Sequence, residues 1–376
     1  MTRAAAAVGL ATVLALGASS PAVASGLIRV ALVEIARVVE LHGTDIEVTE
    51  LGACPRCGAP RRTALVRATL GGEAVEIDGV RAGGFRLRSD LPIRLHGREY
   101  PAPLEILRIG DGLAVVNEVP LEEYLVGVLR AEAGEKWPLE ALRAQAVAAR
   151  TYAAYHRMLN GGRPYHILAS TAHQQYAGRV PAASPIWGAV RETAGQVLLW
   201  EGDVFPAFYH TESGGYTEDP RTVFSARNMP ALKPVRCEFS AGSPHFYWAL
   251  DVRLTDLTEI LRRHEVGVGT VTAIEVTERT PSLRASTVTV HGTARSVRLR
   301  GNEFRRMLGY DTFKSTLFAV AVDAQWARFS GRGYGHGVGM CQWGAKGMAE
   351  QGHSARQILE FYYPGTVLGT LDRAAR

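Results

Sequence analysis

The residue with the clearest capacity for chemistry is Glu132, a carboxylate in the stretch VLRAEAGEKWP. The apolar spacing before it predicts a helix that ends at about Ala133, so Glu132 would lie at the negative end of the helix dipole. Trp137 follows closely and adds an apolar neighbour. Both features disfavour the charged carboxylate and raise its pKa. A carboxyl group of this kind is a candidate general acid that protonates a leaving-group oxygen.

Three arginines recur every seven residues on the next predicted helix: Arg143, Arg150 and Arg157. A stripe of this kind is usually a solvated face. Arg150, however, lies within a run of alanines, which favours a buried arginine with a charged partner. The spacing does not show that Arg150 reaches Glu132, because about three helical turns separate Arg150 from the predicted start of its helix.

A second candidate segment, GRGYGHGVGM, has glycine at every second position from Gly331 to Gly339. No register of it gives GxGxxG, and no GK[ST] follows, so the pattern disfavours a nucleotide-phosphate loop. Alternating glycines clear one side of an extended backbone, either for a ligand or for close internal packing, and both alternatives stay open here. His336, which lies between these glycines, is a candidate hydrogen-bond donor to a ligand.

The cysteines give no complete metal site. Cys54 and Cys57 form a CxxC pair, which is half of a zinc ribbon, and no second CxxC completes it. We therefore prefer a local structural pair over a metal site for these two residues. Cys237 and Cys341 lie far apart in the sequence, and a disulfide between them is left open.

The composition places the chain among ordinary globular proteins. It has 376 residues, of which 47% are hydrophobic and 21% charged, enough for one large domain or two ordinary ones. The net charge of +5 is modest and comes without a dense run of Lys and Arg, so we expect no nucleic-acid partner. A mild positive charge favours anionic surroundings such as cell-wall polymers.

The N-terminus has the layout of a secretory signal peptide. Arg3 is followed by the apolar run AAAAVGLATVLAL and then by ASSPAVAS, where Ala22-Val23-Ala24 supplies a cleavage signal. The apolar run is shorter than the roughly 20 residues that span a bilayer. We expect residues 1–24 to be removed and the protein to be exported to the cell envelope.

The remaining chain divides into two predicted parts. Residues 25–118 form a strand-rich N-terminal region, with short alternating segments such as DIEVTE and GFRLRS. Residues 119–370 form a core that contains the glycine-rich C-terminal motif at 331–352. Because strands and helices are grouped rather than strictly alternating, the predicted fold class is α+β.

Helix signals are strongest directly after the first part. Pro120 suits a first helical position, with Glu122 and Glu123 in the first turn, and the helix extends to about Ala133. Pro138 starts a second helix that ends at about Leu159. We further expect a helix over residues 251–264 and one or two helices after the glycine-rich motif. Strands are expected in VLLWEG, VFPAFYHT, VTAIEVTER, STVTVHG and ARSVRLRG.

Four stretches of the chain resemble the stage II sporulation protein D family, which includes the amidase-enhancer proteins. They are VPLEEYLVGVLRAEAGEKWPLEALRAQAVAARTYAAY, QQYAG, AFYHTESGGYTE and GRGYGHGVGMCQWGAKGMAEQG. The resemblance extends over roughly residues 28–366. It implies an exported or membrane-tethered protein of the bacterial envelope, with two lobes around a glycan-binding groove. It further implies a lytic transglycosylase that cuts peptidoglycan strands and prefers strands whose stem peptides an amidase has removed.

The same resemblance implies roles for individual residues. Glu132 occupies the position of the family's single catalytic acid/base. The positions that match groove-lining or supporting residues are Arg150, Gln175, Tyr176, Tyr209, Ser213, Gly214, Gly215, His336 and Gln342.

Two positions depart from the family pattern. Some relatives have a cysteine after the central histidine and bind zinc there, whereas this chain has His173-Gln174. We therefore expect no cofactor, although zinc is the metal that such relatives bind. Cys341 replaces a serine found in many relatives, a substitution that the family tolerates.

A single carboxylate is sufficient for the implied chemistry. An ordinary glycosidase pairs an acid with a nucleophile or a base. A lytic transglycosylase protonates the glycosidic oxygen and then deprotonates the 6-hydroxyl of muramic acid, which closes a 1,6-anhydro ring. Two rival hypotheses are a non-enzymatic groove that binds glycan and stimulates a partner amidase, and a hydrolytic muramidase. The muramidase would use Glu132 with Glu135 or Glu140 as its second carboxylate.

Overall fold

The computed structural model describes residues 26–52, 60–224 and 229–374. The predicted signal peptide and the pair Cys54 and Cys57 lie outside these ranges, so both stay predictions. None of the helices among the described residues combines the length and the apolar character needed to cross a bilayer.

The first part of the described chain forms one large, mainly antiparallel sheet. Its strands are β1 Leu27–Ala36, β2 Val38–Glu50, β3 Arg61–Gly71, β4 Ala74–Ile77, β5 Val80–Ala82, β6 Gly84–Arg88, β7 Ile93–Leu95, β8 Arg98–Tyr100, β9 Leu104–Ile109, β10 Gly112–Pro120 and β11 Ile167–Leu168. The spatial order is β11-β1-β10-β9-β6-β2-β3-β4-β5, with β7 beside β2 and β8 beside β7. β10 is almost wholly buried, because it lies inside the sheet between β1 and β9 and directly precedes the first helix.

The later elements are helices and short strands in smaller sheets. The helices are α1 Leu121–Glu132, α2 Leu139–Leu159, α3 Ile186–Glu192, α4 Pro220–Phe224, α5 Leu254–Arg263, α6 Gly301–Leu308, α7 Gln342–Glu350, α8 Ala355–Tyr362 and α9 Leu371–Ala374, with a 3-10 turn at Pro230–Leu232. The strands are β12 Gln196–Trp200, β13 Asp203–Val204, β14 Tyr209–His210, β15 Tyr247–Arg253, β16 Val271–Arg279, β17 Ala285–Gly292, β18 Ser296–Arg300, β19 Phe318–Val322, β20 Trp326–Arg332, β21 Met340–Cys341 and β22 Val367–Thr370. The predicted α+β class is confirmed.

The two strongest helix predictions are confirmed with a small shift at their starts. α1 and α2 begin one residue after Pro120 and Pro138, which are cap residues in an extended conformation rather than first helical residues. α1 carries Glu122 and Glu123 in its first turn, where the helix dipole favours negative charge. It ends at Glu132, so the fold presents this carboxylate at the joint between the two helices.

α2 lies between two hydrophobic clusters. Ala146, Ala149 and Ala153 belong to the cluster that α1 and the large sheet form. Ala144 and Ala148 belong to a second cluster that contains α7 and α8. Small side chains on both sides of the helix let its neighbours approach closely. The prediction that this alanine-rich helix is buried is confirmed.

A separate hydrophobic cluster supports residues 247–332, which we call the middle segment. It joins α5 and α6 to two three-stranded sheets, β15-β20-β19 and β16-β17-β18. The helix expected over 251–264 is correct only from Leu254, because residues before it continue β15.

The strand expected in VFPAFYHT is wrong over most of its length. Only β13 and β14, at the two ends of this stretch, pair as strands. Pro206 lies between them and has no N–H for a strand ladder. The backbone turns there instead, since the N–H of Ala207 donates to the carbonyl of Phe205 at 2.8 Å.

The glycine-rich motif is not the extended chain that its alternating pattern suggested. Gly337 and Gly339 have φ angles of 87° and 70°, in the left-handed region that glycine adopts without strain. A Cβ atom at Gly339 would lie 2.0 Å from the carbonyl oxygen of Phe208, and one at Gly337 would lie 2.7 Å from the guanidinium of Arg284. These glycines serve close internal packing, so this alternative, and not a cleared ligand face, applies to them.

Arg150 is fully buried and joins four elements. Its Nε and Nη2 donate to the two carboxylate oxygens of Glu122 at 2.9 and 2.6 Å, which links α2 to α1. Nη1 donates to the carbonyl of Gln196 at 3.1 Å and Nη2 to that of Val190 at 3.3 Å. The prediction of a buried, paired arginine is confirmed, and its partner is Glu122.

We expect Arg150→Met to lower the free energy of unfolding by about 3 kcal/mol, the lower end of the range for breaking a buried pair, because it leaves the partly buried Glu122 carboxylate without its cation. Urea unfolding followed by circular dichroism measures this change. Arg157→Met is the matched control on the same helix, where the arginine is only half-buried. Equal losses in the two variants would contradict the assigned role of Arg150.

Candidate functional site

A cavity of about 500 Å³ opens at the C-terminal end of α1. Its walls come from α1 and α2, the loop at 171–175, the segment 208–211, α4, the glycine-rich motif and the part of the middle segment around α6. A cavity of this size is in the usual range for small-molecule and cofactor sites.

Glu132 lines this cavity and is held by two neutral donors. Its Oε1 accepts a hydrogen bond from the backbone N–H of Gln175 at 2.8 Å, and its Oε2 accepts one from Nε2 of Gln342 at 3.3 Å. Burial raises the pKa of Glu132, and these two hydrogen bonds oppose the rise without reversing it. The direction agrees with the sequence prediction, although its cause is burial in the cavity wall. Glu132 therefore keeps its proton to a higher pH than a solvated glutamate.

Gln174 fixes the loop that approaches Glu132. Its side chain is fully buried, and its Nε2 donates to the hydroxyl of Tyr209 at 3.0 Å and to the carbonyl of Ala149 at 3.2 Å. The hydroxyl of Tyr124 donates to its Oε1 at 3.1 Å. Burial raises the pKa of Tyr209 well above its ordinary value, so this phenol stays neutral. Sequence reasoning missed Gln174, although it stands next to the predicted Gln175.

His336 is a neutral donor facing the same cavity. Its Nδ1 accepts a hydrogen bond from the backbone N–H of Val338 at 3.0 Å, which places the ring proton on Nε2. Burial, together with the positive charges of Arg305 and Arg284, lowers the pKa of His336 to about 3. The ring packs edge-on against Phe224 with 5.2 Å between centroids. The ring also forms a hydrogen bond with the backbone of Tyr209, so donation by His336 to a ligand stays a prediction.

The structure brings together about half of the predicted site residues. Glu132, Gln175, Tyr209, His336 and Gln342 all line the cavity. The other predicted residues lie outside the lining of this cavity, and their implied roles stay predictions: Arg150, Tyr176, Ser213, Gly214 and Gly215.

These outlying residues make structural contacts. Tyr176 is buried between aromatic rings and its hydroxyl donates to Oδ1 of Asn117 at 3.2 Å. The N–H of Gly214 donates to Oε1 of the buried Glu212 at 2.8 Å, which tightens the SGG turn. Ser213 is fully buried, and its N–H donates to the sulfur of Cys341 at 3.3 Å. The turn therefore packs against Cys341, which directly precedes the cavity-lining Gln342.

Cys341 and Cys237 are buried free thiols in this structure, so the disulfide left open by the sequence is not formed. The sulfur of Cys341 accepts a hydrogen bond from the N–H of Gly344 at 3.3 Å and caps the start of α7. Because Gln342 is the first residue of α7, this cap helps to position the donor that reaches Glu132.

Sequence reasoning missed the cavity wall that comes from the middle segment. Arg305 and Asn302 on α6, together with Tyr310 and Asp311 after it, line the cavity with Glu132. No local motif identifies these residues, because α6 has an ordinary amphipathic pattern. Within the described ranges, no three or more His, Cys, Asp and Glu side chains gather in a way that would hold a metal ion.

Comparisons with protein families give two matches. The family model described as stage II sporulation protein matches residues 110–200, which contain α1, α2 and Glu132. A model described as a domain of unknown function (DUF8618) matches residues 234–339, which contain the middle segment.

Three curated proteins are similar over most of the chain. An uncharacterized protein of Brachyspira hyodysenteriae is 32% identical over 315 residues, which cover 82% of each chain. Stage II sporulation protein D of Bacillus amyloliquefaciens is 30% identical over 297 residues, covering 73% of this chain and 81% of that protein. The amidase enhancer of Bacillus subtilis is 32% identical over 292 residues, which are 65% of this chain but only 40% of the enhancer. With this identity and coverage, and with the family motifs around Glu132, the chain belongs to the stage II sporulation protein D family.

Proposed function

We propose that this protein is an exported lytic transglycosylase of the cell envelope that cleaves peptidoglycan strands lacking stem peptides. The observation that carries the proposal is the environment of Glu132, a carboxyl group with a raised pKa that is held by two neutral donors in a cavity. Family membership supports a role at the cell wall, and the name of the Bacillus subtilis relative supports action beside an amidase.

The proposed reaction uses Glu132 twice. The protonated carboxyl gives its proton to the glycosidic oxygen as the bond to C1 of muramic acid breaks. The resulting carboxylate is stabilised by the N–H of Gln175 and the amide of Gln342. It then takes the proton of the 6-hydroxyl, whose oxygen bonds to C1 and closes the 1,6-anhydro ring. Glu132 ends protonated, and no water is consumed.

Neutral donors in the cavity suit a sugar substrate. The hydroxyl of Tyr209 accepts a hydrogen bond from Gln174, so its own proton is available to a ligand. His336 carries its ring proton on Nε2, because its Nδ1 accepts from Val338, and a ligand would share this proton with the backbone of Tyr209. Neutral donors of this kind hold hydroxyl and acetamide groups without the desolvation cost of a further charge.

The carboxylates named for the muramidase rival are engaged elsewhere. Glu135 pairs with Arg130 on the exposed end of α1. Glu140 pairs with Arg143 and accepts a hydrogen bond from the N–H of Ala355 at 2.7 Å. Asp311 is the other carboxylate in the described cavity lining, and it accepts a hydrogen bond from Tyr334 at 2.8 Å. Asp311 therefore replaces Glu135 and Glu140 as the residue to test for hydrolysis.

We expect Glu132→Gln to lower the rate of strand cleavage by at least about 100-fold, because the amide cannot donate or accept the proton. Cleavage of amidase-treated peptidoglycan, followed by chromatography, measures the rate. Thermal melts at neutral pH serve as the control. A raised folded-state pKa means that the stability contribution of Glu132 is lost as pH rises through that pKa. The variant should therefore melt no lower than the wild type. Near-wild-type turnover would reject the assignment.

The chemistry of the new strand ends separates transfer from hydrolysis. We expect 1,6-anhydro ends in the large majority, since the attacking oxygen belongs to the sugar itself. Borohydride reduces only the reducing ends that hydrolysis produces, and mass analysis finds those ends heavier by one water.

The variants Glu135→Gln, Glu140→Gln and Asp311→Asn should keep cleaving and should keep forming anhydro ends. Mostly reducible ends, or loss of activity in Asp311→Asn with the fold intact, would favour a muramidase. Absence of cleavage combined with faster action of an added amidase would favour the non-enzymatic enhancer.

We expect the pH profile of kcat/KM to fall on its alkaline side as Glu132 loses its proton. Because the amide of Gln342 favours the charged carboxylate, Gln342→Leu should raise the pKa of Glu132 further and move this limb to higher pH. The maximal rate should fall at the same time. Gln351→Leu, at the exposed end of the same helix, is the control and should leave the profile unchanged. A limb that stays in place or moves to lower pH in Gln342→Leu would contradict this assignment.

A further inference from the structure

The middle segment has its own hydrophobic cluster, yet it supplies one wall of the cavity that holds Glu132. Nothing in the chemistry of Glu132 itself accounts for this wall. Its most notable member is Arg305 on α6, which lines the cavity although only 5% of its surface is exposed. A buried guanidinium beside a cavity needs a partner for its charge.

Arg305 has no carboxylate partner within the part of the chain that the structure describes. Its Nε donates to the carbonyl of Phe313 at 2.9 Å, and its Nη2 donates to the carbonyl of Tyr310 at 3.4 Å. The guanidinium also lies over the ring of Tyr310, 4.6 Å from its centroid. An arginine has five N–H donors. These contacts orient the side chain and leave its charge, and part of its donor capacity, unpaired.

The surroundings of Arg305 are positive. Arg284 is fully buried behind the glycine-rich motif, and its Nε and Nη1 have no hydrogen-bond partner among the described residues. Lys314 lies 5.4 Å from the ring centroid of Tyr334. Asp311 is the negative group on this wall, but it is exposed and already accepts the hydroxyl of Tyr334. Burial lowers the pKa of Arg305 to about 10, so the residue is cationic at neutral pH and gains from an anion in the cavity.

The lactyl group of the proposed substrate is an anion only in one of its two forms. Muramic acid bears a lactyl group, and in a strand with a stem peptide the lactyl carboxyl is joined to the peptide as a neutral amide. Removal of the peptide by an amidase leaves a free carboxylate on every muramic residue. A planar guanidinium with open donors matches a carboxylate in both charge and geometry.

We propose that Arg305 binds the free lactyl carboxylate of muramic acid and thereby selects strands without stem peptides. This inference rests on the proposed function, since it assigns a specificity residue to the same cavity. It also explains why the middle segment contributes to the cavity, because Arg305 distinguishes the chemical state of the lactyl group while α1 supplies the acid.

The test compares two preparations of glycan strands that differ only in the charge of the lactyl group. Peptide-free strands are prepared with an amidase, and one portion is converted to the lactyl carboxamide by carbodiimide coupling to ammonia. Binding is measured in the Glu132→Gln background, so that cleavage is not needed. We expect the carboxylate strands to bind about 10–100-fold more tightly than the carboxamide strands, the range for a hydrogen bond between charged groups.

Arg305→Gln in the same background should bind both strands equally, by losing affinity for the carboxylate strands alone. Arg306→Gln removes the same charge from the exposed neighbouring position on α6 and should keep the full preference. Arg305→Lys keeps the charge without the planar fork, and we expect it to show a reduced preference. Thermal melts of all variants establish that they are folded.

The inference is overturned if the parent protein binds both strands equally, or if a folded Arg305→Gln variant keeps the preference. If Arg305→Gln does not fold, Arg305→Lys takes its place in the test. A folded Arg305→Lys variant that keeps the full preference then overturns the inference. Failure of the proposed function would appear differently, because absence of cleavage by the wild type leaves the binding preference intact. Loss of the preference in a folded Arg305→Gln variant, with the preference kept in Arg306→Gln, supports the inference.

Discussion

The burial of the Glu132 carboxyl group is the constraint on which the site depends. A carboxyl group removed from water favours its protonated form unless donors compensate it, and here the compensation is partial. The two donors come from Gln175 and Gln342, which are 43 and 210 positions away in the sequence. The fold must therefore hold three distant segments in register to within a hydrogen-bond length. The position of Glu132 therefore depends on the packing of several distant segments of the chain.

α2 holds most of these segments together. It contacts the large sheet and α1 on one side and α7 and α8 on the other. Its alanines keep these elements close, and the bidentate pair of Arg150 with Glu122 fixes α2 against α1. Ala149 also anchors the loop of Gln175 through its hydrogen bond with Gln174. Arg150 thus acts at a distance from the cavity, through the position of α1.

Sequence patterns predicted those parts of the site whose conformation is set by neighbouring residues in the chain. The ends of α1 and α2 follow from the prolines before them and the periodicity within them, and Glu132 follows from the joint. The conformation of the glycine-rich motif was not predictable, because its φ angles depend on partners such as Arg284 and Phe208, which lie far away in the sequence. Arg305 was missed for the same reason. An arginine on an amphipathic helix is ordinarily solvated, and only the tertiary fold buries this one beside a cavity.

The separate core of the middle segment has a consequence for how such proteins diversify. Because Phe304, Phe313 and Phe329 stabilise this segment within its own cluster, residues on its cavity side are free to change without loosening the packing around α1. Under the proposed function, substrate selection and proton transfer lie on separate parts of the chain, on the middle segment and on α1. We expect relatives with a different segment at this place to accept strands with different substituents.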